Sequence, residues 1–327
     1  MTYDSVLNCV GSTPLVRLQR CFPLPDVEVL AKLEMLNPCG SMKDRPARHI
    51  VEQGVREGTL RPGMRIVEST SGNLGVALAV TARMHSLSFT AVVDPNTSPT
   101  NLRLLELFGA DIDMVTEQDS AGGYLHTRVD RARGHAEAAP DVVWINQYAN
   151  ERNWRAYYET VGVEILREVD GPIDYLVGPV STTGSLHGTA RRLREVHPEL
   201  KTVAVDAVGS VIFGTPPSKR RIPGFGASRV PEIFNEVEID EVFHIADAAS
   251  AAGCRRLAET EGILAGGSSG AVISAMGDFL NWVGGPARVV ALLPDRGERY
   301  LDSVYDDSWV DQVKSDDDAP TDVAAAP

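Results

Sequence analysis

The sequence predicts an α/β protein in which mainly parallel sheets are flanked by helices, and two observations lead to this prediction. Short β-branched runs alternate along the chain with amphipathic stretches, which is the pattern of parallel strands joined by crossover helices. The length of 327 residues, at about 150 residues per domain, suggests two domains or one large α/β unit.

The individual elements follow from this alternation in chain order. Runs of apolar and β-branched residues predict strands at residues 27–36, 64–69, 88–94, 111–116, 142–146, 173–180, 201–208 and 288–295. Helical periodicity between them predicts helices at residues 73–86, 99–109, 153–169 and 188–200. Residues 216–231 are polar and irregular, so we expect a substrate loop or lid there.

Composition and charge exclude several classes of protein. The net charge of −14 argues against nucleic acid or an anionic membrane surface as a partner. No apolar run reaches the roughly 18 residues of a membrane span, and the N-terminus has no basic and apolar leader, so we expect a cytoplasmic protein. Residues 306–327 contain seven aspartates and one lysine, which predicts an acidic, disordered tail.

Stretches rich in glycine, serine and threonine follow strands or open helices at residues 40–44, 69–73, 180–185 and 266–270. In parallel sheets, ligands bind where the carboxyl ends of strands meet helix N-termini. Backbone N–H groups and hydroxyls at such turns hold anions, although helix capping is the simpler explanation of each stretch taken alone. The histidines are dispersed and no H-E-x-x-H motif is present, so no metal is expected.

Lys43 stands at the start of a predicted helix, where the helix dipole disfavours a cation. This position is expected to lower its pKa and to favour the free amine, which is the form that Schiff-base chemistry requires. Taken by itself, Lys43 is better explained as a solvated lysine paired with Asp44. Combined with a phosphate-binding turn and several hydroxyl-rich loops, it indicates pyridoxal phosphate.

Eight motifs resemble, in the same order, those of the fold-type II pyridoxal phosphate enzymes, and specifically their cysteine synthase branch. They are VGSTPLVRL, KLEMLNPCGSMKDRPA, ESTSGNLGVALA, INQYAN, GPVSTTGS, GFGASRVP, EGILAGGSSGA and LLPDRGERYLD, within about residues 5–305. The resemblance implies the tryptophan synthase β-like fold and a homodimer. It also implies a smaller mobile domain at residues 43–146 and a larger domain made of residues 1–42 and 147–305.

The resemblance further implies roles for individual residues. Lys43 would form the covalent bond to the cofactor and act as a base, Asn73 would bond the cofactor's 3′-oxygen, and Ser268 would face the pyridine nitrogen. The cofactor phosphate would bind Ser181, Thr182, Thr183, Gly184 and Ser185. The carboxylate of the amino-acid substrate would bind Ser69, Thr70, Ser71, Gly72 and Gln147. A serine at the pyridine nitrogen, in place of a carboxylate, favours β-elimination and replacement.

The chain departs from the usual family pattern at Cys39 and Ser181, where glycine is common, and at Arg229, where an apolar residue is common. Arg229 and a cationic run at residues 219–221 suit a phosphorylated leaving group or an anionic second substrate. Solvation at the surface explains Lys219 and Arg220 equally well.

Several motifs, and Tyr148 near the substrate, are most similar to a branch that joins O-phospho-L-serine to L-glutamate. That reaction proceeds through an α-aminoacrylate and leads to 2,3-diaminopropionate for siderophores or peptide antibiotics. The alternatives are a cysteine synthase that uses sulfide with O-phosphoserine or O-acetylserine, and a regulatory protein that keeps the fold and the cofactor.

Overall fold

The computed structural model describes residues 2–120 and 122–317. Within these residues the strands form a six-stranded sheet and a four-stranded sheet. The large sheet consists, from edge to edge, of β1 (Leu15–Arg17), β2 (Val27–Leu33), β10 (Ala287–Leu293), β7 (Tyr175–Pro179), β8 (Lys201–Ala207) and β9 (Glu241–Ile245). Every neighbouring pair in it is parallel except β1 with β2.

The small sheet is entirely parallel and is built from one continuous part of the chain. Its order is β5 (Asp111–Met114), β4 (Ser88–Val93), β3 (Arg65–Ser69) and β6 (Val142–Trp144). Because β3 and β6 are neighbours, the turn after Ser69 and the segment after Trp144 leave the sheet side by side. The predicted α/β class is therefore confirmed, while the division into domains at residues 43 and 146 stays a prediction.

Helices cover both faces of the sheets. They are α1 (Asp44–Arg56), α2 (Asn73–Met84), α3 (Pro99–Leu107), α4 (Leu125–Ala138), α5 (Arg152–Glu159), α6 (Val161–Glu168), α7 (Gly184–Arg194), α8 (Asp247–Glu261), α9 (Gly267–Trp282) and α10 (Asp307–Asp317). One apolar cluster packs α8 and α9 on one face of the large sheet, and a second packs α5, α6 and α7 on the other. A third lies between the small sheet, α1 and α2.

One helix and two strands differ from the sequence-based expectations. The helix expected at residues 153–169 is interrupted at Thr160, which has φ −122° and ψ −75°. The Thr160 hydroxyl donates to the Ala156 carbonyl at 2.5 Å, and such bonds from threonine to the preceding turn bend helices. The edge strands β1 and β9 were not expected, because short edge strands carry little periodic signal.

The expectation of a disordered tail from residue 306 is wrong for its first part. Residues 307–317 form α10, which buries Val310 and Val313. Asp307 also accepts a 2.5 Å hydrogen bond from Arg255 of α8. Val310 and Val313 are three residues apart, which is the spacing of one helix face. The high aspartate content around them led to the prediction of disorder instead. Residues 318–327 lie outside the described part of the chain.

No helix among the described residues is long and apolar enough to cross a membrane.

Candidate active site

Three segments meet at the carboxyl ends of β2 and β10, which are adjacent strands. The turn before α1 is joined to the end of β10 by a hydrogen bond from Met42 N to Pro294 O at 2.8 Å and by a bridge between Ser41 and Asp295. On the other side, Gly266 N donates to Asp295 O at 2.9 Å. The segment that contains Lys43, the residue Asp295 and the start of α9 therefore lie side by side.

Lys43 occupies the N-cap position of α1 and is partly buried. Burial lowers the pKa of its ammonium group to about 8, and the nearby charge of Asp295 opposes this shift. From the sequence we expected the helix dipole to lower the pKa of Lys43, but desolvation by burial is the main cause in the structure. The lowered pKa makes the free amine accessible close to neutral pH.

Asn73 opens α2 and reaches across to the large sheet. Its Nδ2 donates to Asp295 Oδ2 at 2.8 Å, and its Oδ1 accepts a hydrogen bond from Arg299. Tyr300 donates its hydroxyl to the same Asp295 oxygen at 2.6 Å. The structure thus brings Asn73 and Lys43 to one place through Asp295, for which the sequence had suggested no role.

The turn from Ser181 to Ser185 connects β7 to the N-terminus of α7. Thr183 has a left-handed backbone (φ 65°), and its buried Oγ1 has no hydrogen-bond partner among the described residues. Asn153 donates to Thr182 Oγ1 at 3.1 Å, and a Cβ at Gly184 would lie only 2.7 Å from Asn153 Oδ1. A rigid turn with a free hydroxyl at a helix N-terminus fits a phosphate group.

The first turn of α9 contains Ser268, which is buried, and Ser269, whose buried Oγ has no partner among the described residues. This turn lies against Asp295 because Gly266 has no side chain. A Cβ at Gly266 would lie 2.1 Å from Asp295 Oδ1, so glycine is required for this close approach. The Ser268 turn is therefore held next to the Lys43 turn.

The loop of Ser69, Thr70, Ser71 and Gly72 links β3 to α2. Thr70 Oγ1 accepts a hydrogen bond from Gly75 N at 3.0 Å, and the buried Ser69 Oγ has no partner within the described chain. Asn101 Nδ2 donates to Ser71 O at 3.0 Å, which anchors the loop to α3. This loop keeps both a free hydroxyl and several backbone N–H groups near the start of α2.

Gln147 follows β6 and lies against this loop. Its Nε2 donates to Ser69 O at 3.0 Å and to Glu68 Oε1 at 3.4 Å, and its backbone N donates to Glu68 Oε2 at 3.2 Å. Glu68 is fully buried, and burial raises the pKa of its carboxyl to about 7. The predicted proximity of Gln147 to the loop is observed, and Glu68 is the residue that fixes it.

Tyr148 is buried beside Gln147, and the charges of three arginines act on its hydroxyl. The Arg229 guanidinium lies over the Tyr148 ring, 5.3 Å from its centroid, and forms an ion pair with Glu232. Burial raises the pKa of the Tyr148 hydroxyl to about 12, while the charges of Arg128, Arg229 and Arg220 oppose this shift. Arg128 belongs to α4, near the small sheet, and forms an ion pair with Asp94 at 3.2 Å. We call Arg128, Arg220 and Arg229, whose charges act on Tyr148, the cationic rim.

Residues 216–231, all of them described, contain no helix or strand, as the sequence predicted. The segment is nevertheless held in place next to the site. Gly226 N donates to Val180 O at 2.8 Å, immediately before the turn at Ser181. Arg220 Nη2 donates to Ser228 Oγ at 2.6 Å, which cross-links the segment internally. This segment therefore borders the turn at Ser181 and Tyr148.

Sequence reasoning missed several residues of the site. Asp295 and Arg299 lie in LLPDRGERYLD, a motif that was recognised but given no role. Glu68 precedes a recognised loop, and Arg128 lies in a helix without any motif. A charged residue at the carboxyl end of a predicted parallel strand was the available signal for Glu68 and Asp295.

The fold and these loops define a class of protein. Residues 6–295 match the family described as pyridoxal-phosphate dependent enzyme, so the chain belongs to that family, and the family's cofactor is pyridoxal phosphate. The cofactor predicted from the sequence is thereby confirmed, as is the enzyme class.

Individual relatives narrow this class. The chain is 56% identical over 313 residues to a protein of Ralstonia nicotianae named N-(2-amino-2-carboxyethyl)-L-glutamate synthase, covering 96% of this chain and 93% of that protein. The fold of this chain matches that of the O-acetylserine dependent cystathionine beta-synthase from Helicobacter pylori with a TM-score of 0.87 and 30% identity. The match covers 93% of this chain and 98% of the other. O-ureido-L-serine synthase matches with a TM-score of 0.86 and 31% identity, over 95% and 100% of the two chains.

The residues of the site fit pyridoxal phosphate. The amine of Lys43 would bind it covalently, and the N-terminus of α7 with the free Thr183 hydroxyl would hold its phosphate. Asn73 at the start of α2 and Ser268 in the first turn of α9 would both contact the ring of the cofactor. Unpartnered buried polar atoms are rare in native proteins, and among the described residues Thr183 Oγ1, Ser269 Oγ and Asp295 Oδ1 are such atoms in the segments that would hold the cofactor.

Proposed function

We propose that this enzyme replaces the phosphate of O-phospho-L-serine with the amine of L-glutamate, giving N-(2-amino-2-carboxyethyl)-L-glutamate and phosphate. The observation that supports this choice within the family is the cationic rim of Arg128, Arg220 and Arg229 around Tyr148, next to the substrate loop. A dicarboxylic amino acid needs cationic partners for a second carboxylate, whereas sulfide needs none. The relative with 56% identity has the name of this activity.

In this proposal, Lys43 is both the covalent anchor of the cofactor and the base. When bound, pyridoxal phosphate supplies an electron-withdrawing ring that stabilises negative charge at the α-carbon of the substrate. Lys43 would remove the α-proton once the substrate has displaced it, which its lowered pKa of about 8 permits near neutral pH. Asn73 would donate to the 3′-oxygen, Ser268 would face the ring nitrogen, and the phosphate would bind Ser181, Thr182, Thr183, Gly184 and Ser185.

The substrate loop would hold the α-carboxylate of O-phosphoserine. Ser69, with its free hydroxyl, and the backbone of Thr70, Ser71 and Gly72 would provide the donors, while Gln147 closes the loop from the side of β6. Oxygen atoms of a carboxylate accept such bonds more strongly than neutral acceptors do.

Glutamate would bind at Tyr148 and the cationic rim. Arg229 already pairs with Glu232, whose side chain is half exposed, so an incoming carboxylate would take the position of the Glu232 carboxylate. The Arg229 guanidinium remains stacked on Tyr148 during this exchange, which limits its freedom and the entropy lost on binding.

Absorption spectroscopy of the holoenzyme tests the proposal. O-phospho-L-serine is expected to change the visible band of the bound cofactor, and L-glutamate is expected to restore the original band faster than sulfide. Faster restoration by sulfide would favour the cysteine synthase alternative. If neither O-phosphoserine nor O-acetylserine changes the spectrum, the regulatory alternative is favoured and the enzyme assignment of this site fails.

The wider context follows from the same resemblance. We propose that the product feeds the formation of 2,3-diaminopropionate for siderophore or antibiotic biosynthesis, and that the enzyme is a homodimer. The cytoplasmic location expected from the sequence stays a prediction.

A further inference from the structure

The side-chain amide of Asn73 is held between two groups of opposite hydrogen-bonding character. Arg299 offers only donors, and it donates to Asn73 Oδ1. Asp295 Oδ2 accepts from Asn73 Nδ2 at 2.8 Å. The two ends of an asparagine amide are otherwise alike in shape, so this pair of partners decides which end faces which way.

Both partners are themselves fixed. Asp295 is 2% exposed, and its Oδ2 also accepts the Tyr300 hydroxyl at 2.6 Å, so this oxygen acts as an acceptor in either protonation state of the carboxyl. Arg299 also donates to the Cys39 carbonyl at 2.7 Å, in the turn that leads to Lys43. The Asn73 amide is therefore oriented by two residues that follow β10 of the large sheet. Asn73 itself is the first residue of α2, which follows β3 of the small sheet.

We propose that Asp295 and Arg299 are positioning residues that hold the Asn73 amide with its second N–H available to the 3′-oxygen of pyridoxal phosphate. This inference rests on the proposed role of Asn73. Nδ2 has two protons, and Asp295 accepts one of them, which leaves the other for the cofactor. A rotated amide would place its carbonyl oxygen there and would repel an anionic oxygen. Asp295 Oδ1, which has no hydrogen-bond partner among the described residues, lies against Gly266 on the side of the Ser268 turn.

The test compares holoenzyme variants by their visible absorption and by the dissociation constant for pyridoxal phosphate. The visible band belongs to cofactor whose 3′-oxygen is deprotonated, so loss of a donor to that oxygen lowers the band. Asp295→Ala and Arg299→Met are each expected to lower the band at fixed pH and to raise the dissociation constant by roughly fivefold to tenfold, the effect of one hydrogen bond. Asp295→Asn keeps an acceptor and is expected to restore most of the band.

Asn73→Ala is the reference variant, and double variants show whether the partners act through it. Asn73→Ala combined with either Asp295→Ala or Arg299→Met is expected to behave like Asn73→Ala alone, because the partners have nothing left to orient. Tyr305→Phe is the matched control. It removes hydrogen bonds to both backbone groups of Ala265, at 2.7 and 3.1 Å, in the adjacent segment, and is expected to leave the spectrum unchanged.

The possible failures are distinguishable. If Asn73→Ala changes the spectrum while Asp295→Ala and Arg299→Met do not, or if their effects add to that of Asn73→Ala, the inference is overturned and the proposed function stands. If Asn73→Ala leaves the spectrum unchanged, the proposed role of Asn73 fails, and the inference fails with it. Should Asp295→Ala not fold, Asp295→Asn and Arg299→Met still decide the question.

Discussion

Two polar clusters meet near the turn that contains Lys43, and they differ in how fully their buried polar atoms are paired. The first, the paired cluster, consists of Lys32, Glu34, Arg45, Glu164 and Glu168. Arg45 lies 2.6 Å from Glu34 and 2.7 Å from Glu164, and Lys32 lies 2.8 Å from Glu168. The second, the open cluster, consists of Lys43, Asn73, Asp295 and Arg299. It contains the unpartnered Asp295 Oδ1 and a lysine whose pKa is lowered by burial.

The extent of pairing distinguishes charged residues that stabilise the fold from charged residues that serve the cofactor and the chemistry. In the paired cluster, cations and carboxylates satisfy one another and tie α1 to β2 and α6, which fixes the start of the helix that follows Lys43. In the open cluster, burial without complete pairing leaves polar atoms whose partner a ligand would supply. Removing a member of the first should therefore affect folding, and removing a member of the second should affect the cofactor and the chemistry.

The largest effect is expected for Lys43→Ala, in the open cluster. It should lower kcat by at least roughly a thousandfold, because both the covalent anchor and the base are lost. Steady-state assays with O-phosphoserine and glutamate measure this change. Borohydride reduction followed by peptide mapping should find the cofactor on Lys43 in the unaltered enzyme, and a label on another lysine would contradict the assignment.

The next effect is expected in the paired cluster. Arg45→Met should lower the free energy of unfolding by about 3–5 kcal/mol, since it leaves buried carboxylates without a cation. Denaturant unfolding measures it. Arg48→Met is the matched control on the same helix, where the partly exposed i,i+4 pair with Glu52 should account for about 0.5 kcal/mol. Equal losses in both variants would show that the burial of the Arg45 pairs does not matter.

A smaller effect is expected at the cationic rim, outside both clusters. Arg229→Ala should raise KM for glutamate roughly tenfold by removing one charge-assisted contact, with little change in the affinity for pyridoxal phosphate. Glu232→Gln should act in the opposite direction, because it frees Arg229 from its ion pair. Unchanged KM values for both substrates in Arg229→Ala would place Arg229 outside the substrate site.

The smallest effect concerns the pH dependence within the open cluster. Only the free amine of Lys43 captures pyridoxal phosphate, so the rate of capture by the cofactor-free protein should rise with pH and reach half its maximum at about pH 8. Asp295→Asn should lower that midpoint, because the charge of Asp295 raises the Lys43 pKa. Stopped-flow absorbance follows the capture. A midpoint near the ordinary lysine value of 10.5 would show that Lys43 is not desolvated.

The sequence by itself determined the α/β class, most strand positions and the order of the glycine- and serine-rich turns. These features are encoded locally, since period-2 and period-3.6 patterns and the residues of β–α turns lie within a few positions of one another. The same local signals, with the resemblance, led to Lys43, Asn73, Ser268 and the turn at Ser181 as candidates.

The tertiary structure alone decided how these candidates are held. Asn73 is bound by Asp295 and Arg299, which are 222 and 226 residues away in the chain, and no local pattern links such positions. The lowered pKa of Lys43 likewise results mainly from burial. Burial and hydrogen-bond pairing depend on which distant segments meet, so they could not be predicted from the sequence of either segment.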